Sequence, residues 1–311
     1  MTFGKNKKVL VTGGAGFIGS HLVDAYIAQG NEVVVVDDLS TGKQGNIDPR
    51  AKFYHLSILD QQLDEVFNSE KIDLISHHAA QTSVRHSVAD PAFDAQLNVL
   101  GTIKLLELSV KYGVKKFIFA STGGAIYGEQ NYYPADENHP LRPLSPYGMS
   151  KLAAEKYLWL YNVSHGLDTI ILRYANVYGP RQDPNGEAGV VAIFTQKILN
   201  AEQPIINGTG EQTRDFVSVS DVVRANLMAE SLKGCQTINI GTSKESTINR
   251  LFDKLAAVSQ VKVHRVYGSA LPGEQLRSVL DYKRAQKLLG WEPQVNLENG
   301  LREVFGFFKG D

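Results

Sequence analysis

Tyr147 and Lys151 have the residue types and the spacing of a proton-transfer pair. Ser145 followed by Pro146 is typical of a helix start, and residues four apart lie on one face of a helix. A nearby ammonium and the positive end of the helix dipole both favour the phenolate form of a tyrosine, whose usual pKa is about 10. The spacing therefore predicts a general base that works near neutral pH. The alternative is a surface tyrosine and lysine on an amphipathic helix, and Tyr-x-x-x-Lys alone does not separate the two.

Three glycines form a second candidate site, a turn that binds phosphate. Gly13, Gly16 and Gly19 follow a short apolar strand and open a helical pattern. Glycine lets the backbone approach a pyrophosphate closely, and a helix N-terminus supplies N–H groups. Asp37 follows Gly19 by eighteen residues, at the end of the next predicted strand, where a carboxylate accepts hydrogen bonds from ribose hydroxyls and repels a 2′-phosphate. The pattern predicts NAD rather than NADP as cofactor, with a purely structural βαβ unit as the alternative.

Strand and helix patterns alternate through the first half of the chain. Apolar strands are predicted at 8–11, 32–36, 53–58, 73–77, 116–120 and 169–173, and the helices between them include 91–111 and one that begins at 146. The strands are continuously apolar rather than alternating, which is typical of a parallel sheet covered on both faces. The sequence thus predicts an α/β fold of the Rossmann type, with a doubly wound parallel sheet.

The pattern changes after residue 179, where Gly and Pro begin to separate shorter elements. We therefore expect an NAD-binding domain at 1–179 and a smaller mixed α/β C-terminal substrate domain at 180–311. The segment 215–242 can belong to either domain on this evidence.

Composition narrows the class of protein. The chain has 311 residues, of which 43% are hydrophobic and 21% charged, as in an ordinary globular protein. A net charge of −1 gives no basis for binding nucleic acid or an anionic membrane. The single Cys235, the absence of a signal-peptide core and the lack of a long apolar run predict a cytoplasmic location.

The glycine turn at 12–19 and the tyrosine–lysine motif at 147–151 together resemble the extended short-chain dehydrogenase/reductase family. Within that family, the stretches 173–181, 186–194, 208–217 and 289–293 resemble bacterial and archaeal UDP-glucose 4-epimerases, and the resemblance extends over 9–301. It implies NAD-dependent 4-epimerisation of a UDP-hexose, between UDP-glucose and UDP-galactose, through a transient 4-keto intermediate. It also implies a homodimer in which the helices near 91–111 and 146–164 pack against the same helices of the second subunit.

The resemblance also implies the cofactor contacts. They are Gly13, Gly16, Phe17, Ile18 and Gly19 at the pyrophosphate, Asp37, Asp38, Leu39, Ser40, Thr41 and Gly42 around the ribose, Ser57 and Ile58 at the adenine, His78, Ala79, Ala80 and Gln81 along the cleft, Asn98 behind it, and Thr122, Tyr147, Lys151 and Tyr174. Asp38 can instead be a solvated residue.

The substrate contacts follow in the same way. They are Ser83, Thr122, Gly123, Tyr147, Asn176, Val190, Val191, Asn207, Arg214, Phe216, Glu274 and Ser278. Among these, Tyr147, Lys151 and Thr122 are the expected catalytic residues.

The position of the catalytic hydroxyl has two solutions. The family places a Ser or Thr after strand five, and counting forward from that strand gives Thr122, with Ser121 as the second choice. Counting back from Tyr127 gives Gly123, which has no hydroxyl. We favour Thr122, because a loop absorbs an extra residue more easily than a sheet register does.

Two departures from the family concern the substrate. Leu271 stands where the family often has an arginine that reaches the diphosphate, so Arg214 is expected to take that role, aided by Arg277 or Arg181. Ser278 aligns with a position that lines the hexose pocket, and its small side chain leaves room for an N-acetyl group. UDP-N-acetylhexosamines are therefore candidate substrates too.

Three rival interpretations remain in view. Sugar-nucleotide dehydratases and decarboxylases need a carboxylate beside the catalytic Thr, where this chain has Gly123 and Gly124. A UDP-glucuronate or UDP-N-acetylglucosamine epimerase differs only in loops, and a non-catalytic NAD sensor shares the fold. A metal site at His77 and His78 is not expected, because the sequence offers no acidic or cysteine ligands at a suitable spacing.

Overall fold

A seven-stranded parallel sheet forms the centre of the molecule. The structure is a computed structural model that describes residues 6–185, 189–270 and 275–310. The sheet strands are β1 (Lys8–Thr12), β2 (Glu32–Asp37), β3 (Lys52–His55), β4 (Leu74–His77), β5 (Lys116–Thr122) and β6 (Asp168–Tyr174), with a seventh at Cys235–Ile240. Their spatial order places the third, second and first strands beside the fourth, fifth and sixth, and the seventh lies at the edge against β6. The doubly wound Rossmann-type sheet expected from the sequence is confirmed.

Helices cover both faces of this sheet. They are α1 (Phe17–Ala28), α2 (Leu63–Glu70), α3 (Val84–Ala89), α4 (Pro91–Ala95), α5 (Gly101–Tyr112), α6 (Gly123–Ile126) and α7 (Pro146–His165). The face that carries α1 buries Leu22, Val23 and Tyr26, and the face that carries α2, α5 and α7 buries residues such as Phe67 and Leu158. Full burial of an aliphatic or aromatic side chain contributes roughly 1.5–3 kcal/mol, so both layers are held mainly by the hydrophobic effect.

The rest of the chain supplies the seventh strand of the large sheet and forms a smaller, mixed unit beside it. The elements of this part of the chain are β7 (Asn176–Tyr178), α8 (Val190–Leu199), β8 (Ile205–Asn207), β9 (Thr213–Ser218), α9 (Val219–Ala229), β10 (Cys235–Ile240), β11 (Glu245–Thr247), α10 (Ile248–Ser259), β12 (Val266–Gly268), α11 (Lys283–Leu289) and α12 (Leu297–Lys309). β9 pairs in parallel with β7 and antiparallel with β11, while β8 and β12 form a separate pair.

The segment 215–242 contributes to both parts. Its final strand β10 is the edge strand of the large sheet, and α9 packs against α1 on one face of that sheet. Its first residues, in β9, belong to the small sheet. A division of the chain at residue 180 stays a prediction.

Two element boundaries differ from the sequence-based expectation. The third strand ends at His55 rather than at 58, because the backbone N–H of Ser57 turns to donate to Asp60 Oδ2 at 2.8 Å. The helix expected at 91–111 contains a π-helical segment, Gln96–Leu100, between α4 and α5. Such wide turns are typical of functional sites.

Helix α7 has the N-terminus that the sequence predicts. The side chain of Ser145 accepts a hydrogen bond from the Gly148 N–H at 3.1 Å, Pro146 occupies the first turn, and Gly166 ends the helix with φ +68°. None of the helices in the described ranges is long and apolar enough to cross a membrane.

A buried ion pair joins α7 to the sheet. Glu155 accepts two hydrogen bonds from the Arg173 guanidinium, at 2.9 and 2.6 Å, and both side chains are about 95% buried. Glu155 also accepts a 2.6 Å hydrogen bond from Ser121, and Arg173 donates to the Tyr127 hydroxyl at 3.0 Å. The pair therefore ties β5, β6 and α7 together directly behind the carboxyl end of the sheet.

Glu155→Gln should lower the free energy of unfolding by about 3–5 kcal/mol, because it leaves the buried Arg173 charge uncompensated. The matched control is Glu298→Gln, which breaks the exposed pair with Arg302 on α12 and should cost less than about 1 kcal/mol. Urea unfolding followed by circular dichroism measures both variants. Equal losses in the two variants would contradict the structural role given to the buried pair.

Candidate active site

The carboxyl ends of β1, β2, β4 and β5 meet at one edge of the sheet, where parallel sheets place their ligands. Gly13 follows β1, His78 follows β4, and Thr122 ends β5. Helix α7 brings Tyr147 and Lys151 to the same edge, because it packs on β5 and on α6. The topology therefore collects the two motifs that are distant in sequence into one cleft.

The glycine turn has the geometry of a dinucleotide cradle. Gly13 has φ +69°, and a Cβ there would lie 2.6 Å from the backbone N of Ala79. A Cβ at Gly19 would overlap the Gly13 carbonyl. Helix α1 begins after Gly16, and within the described residues no side chain caps its N-terminus. The first amides of α1, including those of Phe17 and Ile18, are therefore suited to a pyrophosphate.

Asp37 lies where a ribose-binding carboxylate is expected, but its oxygens already have backbone partners. They accept hydrogen bonds from the N–H groups of Ala15 and Leu39, at 2.9 and 2.8 Å. Burial raises the pKa of Asp37, and those two hydrogen bonds oppose the rise. Each carboxylate oxygen can accept more than one hydrogen bond, so Asp37 fits a ribose diol.

The loop after Asp37 folds around that carboxylate. A Cβ at Gly42 would lie 2.9 Å from Asp37 Oδ1, so only glycine fits the approach. Asp38 is exposed and accepts hydrogen bonds from the N–H and the hydroxyl of Ser40, at 3.0 and 2.6 Å. Asp38 therefore shapes the turn through Ser40, and Thr41 is exposed beside it.

Thr122 and Ser121 point to different sides of β5, as neighbours on a strand must. The Thr122 hydroxyl accepts the Ala125 N–H at 3.2 Å as the N-cap of α6, and it shares a hydrogen bond with the Tyr147 hydroxyl. Ser121 is buried and donates to Glu155. The structure thus brings Thr122, and not Ser121, to Tyr147.

The prediction that the pKa of Tyr147 is lowered is wrong for the protein chain by itself. Burial raises the pKa of Tyr147 to about 12, against the lowering effect of the Thr122 hydrogen bond. Lys151 is 4% exposed, and burial lowers its own pKa to about 8. Its ammonium donates to the Ala120 carbonyl at 3.1 Å and lies 4.8 Å from the Phe119 ring centre. Sequence reasoning missed the loss of hydration, which here outweighs the hydrogen bond that lowers the pKa of Tyr147.

The floor of the cleft carries two neighbouring histidines, His77 and His78. His78 stacks on Tyr174 and contacts its hydroxyl at 3.2 Å, and Asn226 donates to the same hydroxyl at 2.8 Å. Burial lowers the pKa of His78 to about 3, so it carries no charge at neutral pH. His77 is held between the hydroxyls of Thr12 and Thr102, at 2.7 and 3.1 Å, as a packed core histidine.

Asn98 fixes the cleft loop rather than facing the cleft. Its side chain accepts the Gln81 N–H and donates to the Gln81 carbonyl, both at 2.9 Å, from the π-helical segment. Ser83 caps α3 by accepting the His86 N–H at 3.0 Å. At the adenine end, Ile58 is buried, and a Cβ at Gly101 would contact it at 2.5 Å.

The residues expected to bind the substrate are spread over several elements of the fold. A Cβ at Gly124 would lie 3.8 Å from both Asn176 Oδ1 and Thr122 Oγ1, so the Asn176 side chain lies near the Thr122 hydroxyl. A Cβ at Gly123 would overlap Leu280, so Gly123 is covered by that side chain. Of the other candidates, Val191, Phe216 and Ser278 are buried, Val190 and Arg214 are partly exposed, and Asn207 is exposed. Glu274 and Leu271 lie outside the described residues.

The two arginines expected to assist Arg214 already have carboxylate partners. Arg277 binds Glu245 through two hydrogen bonds, at 3.0 and 2.8 Å, and stacks on Tyr133. Arg181 pairs with Asp24 on α1 at 2.8 Å. Their charges are thus partly neutralised within the protein.

Sequence reasoning also missed a buried carboxylate, Asp94, beside this cleft. It is fully buried and accepts hydrogen bonds from the side chains of Gln81 and Asn98, at 2.8 and 3.2 Å. One feature of the sequence could have pointed to Asp94: it precedes Asn98 by four residues, a spacing that places both side chains on one face of a helix.

Gly13→Ala should destabilise the fold by about 2–5 kcal/mol, because a left-handed backbone conformation and a backbone overlap both oppose the methyl group. The control is Gly166→Ala, where φ is +68° but no atom lies within 4 Å of the new Cβ. That variant should lose only about 1–2 kcal/mol. Urea unfolding measures both, and an equal loss would contradict the close backbone approach at Gly13.

Comparison with known proteins agrees with this geometry. Residues 9–241 match the NAD dependent epimerase/dehydratase family. The chain is 49% identical to the UDP-glucose 4-epimerase of Thermotoga maritima, solved with UDP-glucose, over 97% of this chain and 99% of that one, with a TM-score of 0.96. It is 42% identical to the UDP-glucose 4-epimerase of Thermus thermophilus, solved with NAD, over the same shares and with a TM-score of 0.93.

A third similar structure is that of an epimerase named for a different substrate. It is the UDP-N-acetylglucosamine 4-epimerase of Methanobrevibacter ruminantium, solved with UDP-N-acetylmuramic acid, at 38% identity over 99% of both chains and a TM-score of 0.93. The family match alone covers about three quarters of the sequence, and the structural agreement covers nearly all of it. The chain therefore belongs to the NAD dependent epimerase/dehydratase family.

Proposed function

We propose that this protein is an NAD-dependent 4-epimerase of a UDP-hexose, which interconverts UDP-glucose and UDP-galactose through a transient 4-keto sugar. The observation that carries the proposal is the hydrogen-bonded pair of Tyr147 and Thr122, with Lys151 one helical turn away, at the sheet edge that also holds the glycine turn. The likeness to two UDP-glucose 4-epimerases over nearly the whole chain supports the same activity.

Tyr147 is the group that moves the O4 proton. As a phenolate it removes that proton when C4 is oxidised, and as a phenol it returns the proton when C4 is reduced on its other face. Thr122 positions O4 through the hydroxyl that also contacts Tyr147. NAD, which the glycine turn, the first amides of α1 and Asp37 would hold, would supply the acceptor and then the donor of the C4 hydride.

Lys151 serves as a fixed cation beside the phenol. Its ammonium is held by the Ala120 carbonyl, and burial keeps its pKa at about 8. Below that pH the amine is protonated and favours a negative charge on Tyr147; above it, this help is lost. Catalysis should therefore decline as the pH rises through the Lys151 pKa.

UDP is held on the side of the cleft built by the small unit. Arg214 is assigned to the diphosphate, and the start of α8 and the side chain of Asn176 complete this side. The hexose needs a looser hold, because the 4-keto sugar must turn over between the two hydride transfers.

A second candidate substrate is UDP-N-acetylglucosamine. The supporting features are the small side chain of Ser278, at the position that the resemblance aligns with the hexose pocket, and the similarity to a UDP-N-acetylglucosamine 4-epimerase. A dehydratase is less favoured, because Leu280 fills the space that a side chain at 123 would need. UDP-glucuronate 4-epimerisation remains the other alternative within the family.

Purified protein incubated with UDP-glucose, without added NAD, should produce UDP-galactose on anion-exchange chromatography. Tyr147→Phe should slow the conversion at least about 100-fold, because general acid–base catalysis typically contributes that much. The control is Tyr157→Phe on the exposed part of the same helix, which should stay within about twofold of wild type.

Parallel incubations with UDP-N-acetylglucosamine and UDP-glucuronate separate the substrate alternatives. Substantial epimerase activity in Tyr147→Phe would overturn the assignment of the base. No change in any of the three sugars, with bound NAD present, would favour a non-catalytic sensor.

The proposal includes a homodimer formed through α7. Met149, Trp159, Leu160 and Val163 are each at least 44% exposed, and their spacing places them along one side of that helix. Leu100 is 57% exposed at the end of the neighbouring π-helical segment. An apolar stripe of this kind is typical of a protein interface, and pairing of these helices with their mates would cover it. The cytoplasmic location also stays a prediction.

Leu160→Arg should convert the dimer to a monomer, because a charge at the centre of an apolar interface is left without a partner. Light scattering coupled to size-exclusion chromatography gives the mass. The control Phe307→Arg changes a side chain of similar exposure on α12, away from α7, and should leave the dimer intact. An unchanged mass for Leu160→Arg would argue against this interface.

A further inference from the structure

Asp94 is a fully buried carboxylate without an ion-pair partner in the described ranges. It lies on the short helix α4, and its Oδ1 accepts hydrogen bonds from Gln81 Nε2 and Asn98 Nδ2. Its Oδ2 is also buried and has no hydrogen-bond partner among the described residues. Aspartate is almost never fully buried unless it is paired. Hydrogen bonds from the neutral amides of Gln81 and Asn98 do not by themselves explain why the Asp94 carboxylate is buried.

Hydrogen bonds lead from Asp94 to the catalytic turn of α7. Asn98 Nδ2, which donates to Asp94, also lies 3.2 Å from Ser150 Oγ. Ser150 in turn donates to the Tyr147 carbonyl at 2.9 Å. Ser150 precedes Lys151, so this chain of contacts ends between the two groups of the proton-transfer pair. Asp94 therefore has a direct structural path to their positions.

The charges around Lys151 single out Asp94. The negative charges that act on Lys151 are those of Glu155 on its own helix and Asp94 on α4, and its own charge acts on His77 and His78 at the end of β4. Tyr147 lies one turn before it on α7, and Arg173 lies behind Glu155. Burial lowers the pKa of both histidines, so they stay neutral. Arg173 already compensates the charge of Glu155. Asp94 is thus the acidic group near Lys151 whose charge no arginine or lysine in the described ranges neutralises at close range.

The electrostatic effects agree with this geometry. Burial is the main cause that lowers the pKa of Lys151, and the negative charge of Asp94 is the first of the two effects that oppose it. The same charge raises the pKa of Tyr147. Removal of the charge should therefore lower both pKa values, because a cation loses its counter-charge and an anion loses a repulsive neighbour.

We propose that Asp94 is a positioning residue for the reaction, which holds the turn of α7 that carries Tyr147 and Lys151 and supplies the buried negative charge that balances the Lys151 ammonium. Its influence on turnover rests on the proposed function, whereas its influence on Lys151 does not. A merely structural Asp94 would support the loop at Gln81 without changing the protonation of the amine.

The test uses Asp94→Asn in the full-length protein. Asparagine keeps an oxygen that accepts from Gln81 and Asn98, replaces the unpartnered Oδ2 by a neutral NH2 group of similar size, and so removes the charge. The control is Asp90→Asn, the same chemical change on the exposed N-cap of the same helix, where asparagine is an equally good cap. Nuclear magnetic resonance of protein labelled at lysine Cε follows the titration of Lys151, which is identified by the signal lost in Lys151→Met.

We expect the Lys151 midpoint, near pH 8 in wild type, to fall by at least about half a pH unit in Asp94→Asn and to stay unchanged in Asp90→Asn. A midpoint that is the same in Asp94→Asn as in wild type would overturn the proposal. If Asp94→Asn does not fold, Asp94→Ser makes the same test, because serine also keeps an acceptor and removes the charge.

The pH dependence of turnover gives an independent measurement. With UDP-glucose as substrate, both the acid and the alkaline limb of the rate profile should move to lower pH in Asp94→Asn. A profile that is lower but not displaced would indicate a structural role only and would count against the proposal. If the wild-type protein converts none of the UDP-hexoses, the proposed function fails, and the lysine titration still decides the role of Asp94.

Discussion

Loss of hydration at the carboxyl edge of the parallel sheet is the constraint on which the chemistry depends. A phenol and an ammonium are both forced out of water there, so the pKa of Tyr147 rises and that of Lys151 falls. The raised pKa of Tyr147 and the lowered pKa of Lys151 both oppose a phenolate–ammonium pair at neutral pH. Other charges in the cleft can make these two pKa shifts smaller. The protonation of Tyr147 and Lys151 therefore depends on the charged groups around them, among which is Asp94.

A buried layer of the protein fixes the positions of Tyr147 and Lys151. Glu155 and Arg173 lie one layer below the cleft and join β5, β6 and α7 through short, charge-assisted hydrogen bonds. Ser121 belongs to that layer, and its neighbour Thr122 faces the cleft. The alternation of side chains along one strand thus places Ser121 in the packed layer and Thr122 in the cleft.

The nucleotide half of the cleft depends on backbone shape more than on charge. The close approach of the Gly13 turn to the backbone at 78–79 leaves no space for a side chain, and it directs the first amides of α1 outward. The small unit contributes through two connections: β10 completes the large sheet, and Arg181 ties the loop after β7 to α1. The substrate side is therefore anchored to the dinucleotide side.

Sequence alone determined the features that local pattern encodes. These are the order of strands and helices, the glycine turn with Asp37, the start of α7 at Ser145, and the family, because backbone conformation and helix capping depend on near neighbours. The register of β5 also followed from counting, which placed Thr122 in the cleft. Only the tertiary structure decided the effects that depend on packing between distant segments. Burial reversed the expected pKa shift of Tyr147, long-range ion pairs formed at Arg181 and Arg277, and hydrogen bonds linked Asp94 to the turn of α7 that carries Lys151. Desolvation, ion pairs and hydrogen bonds of this kind act between residues that no local spacing relates.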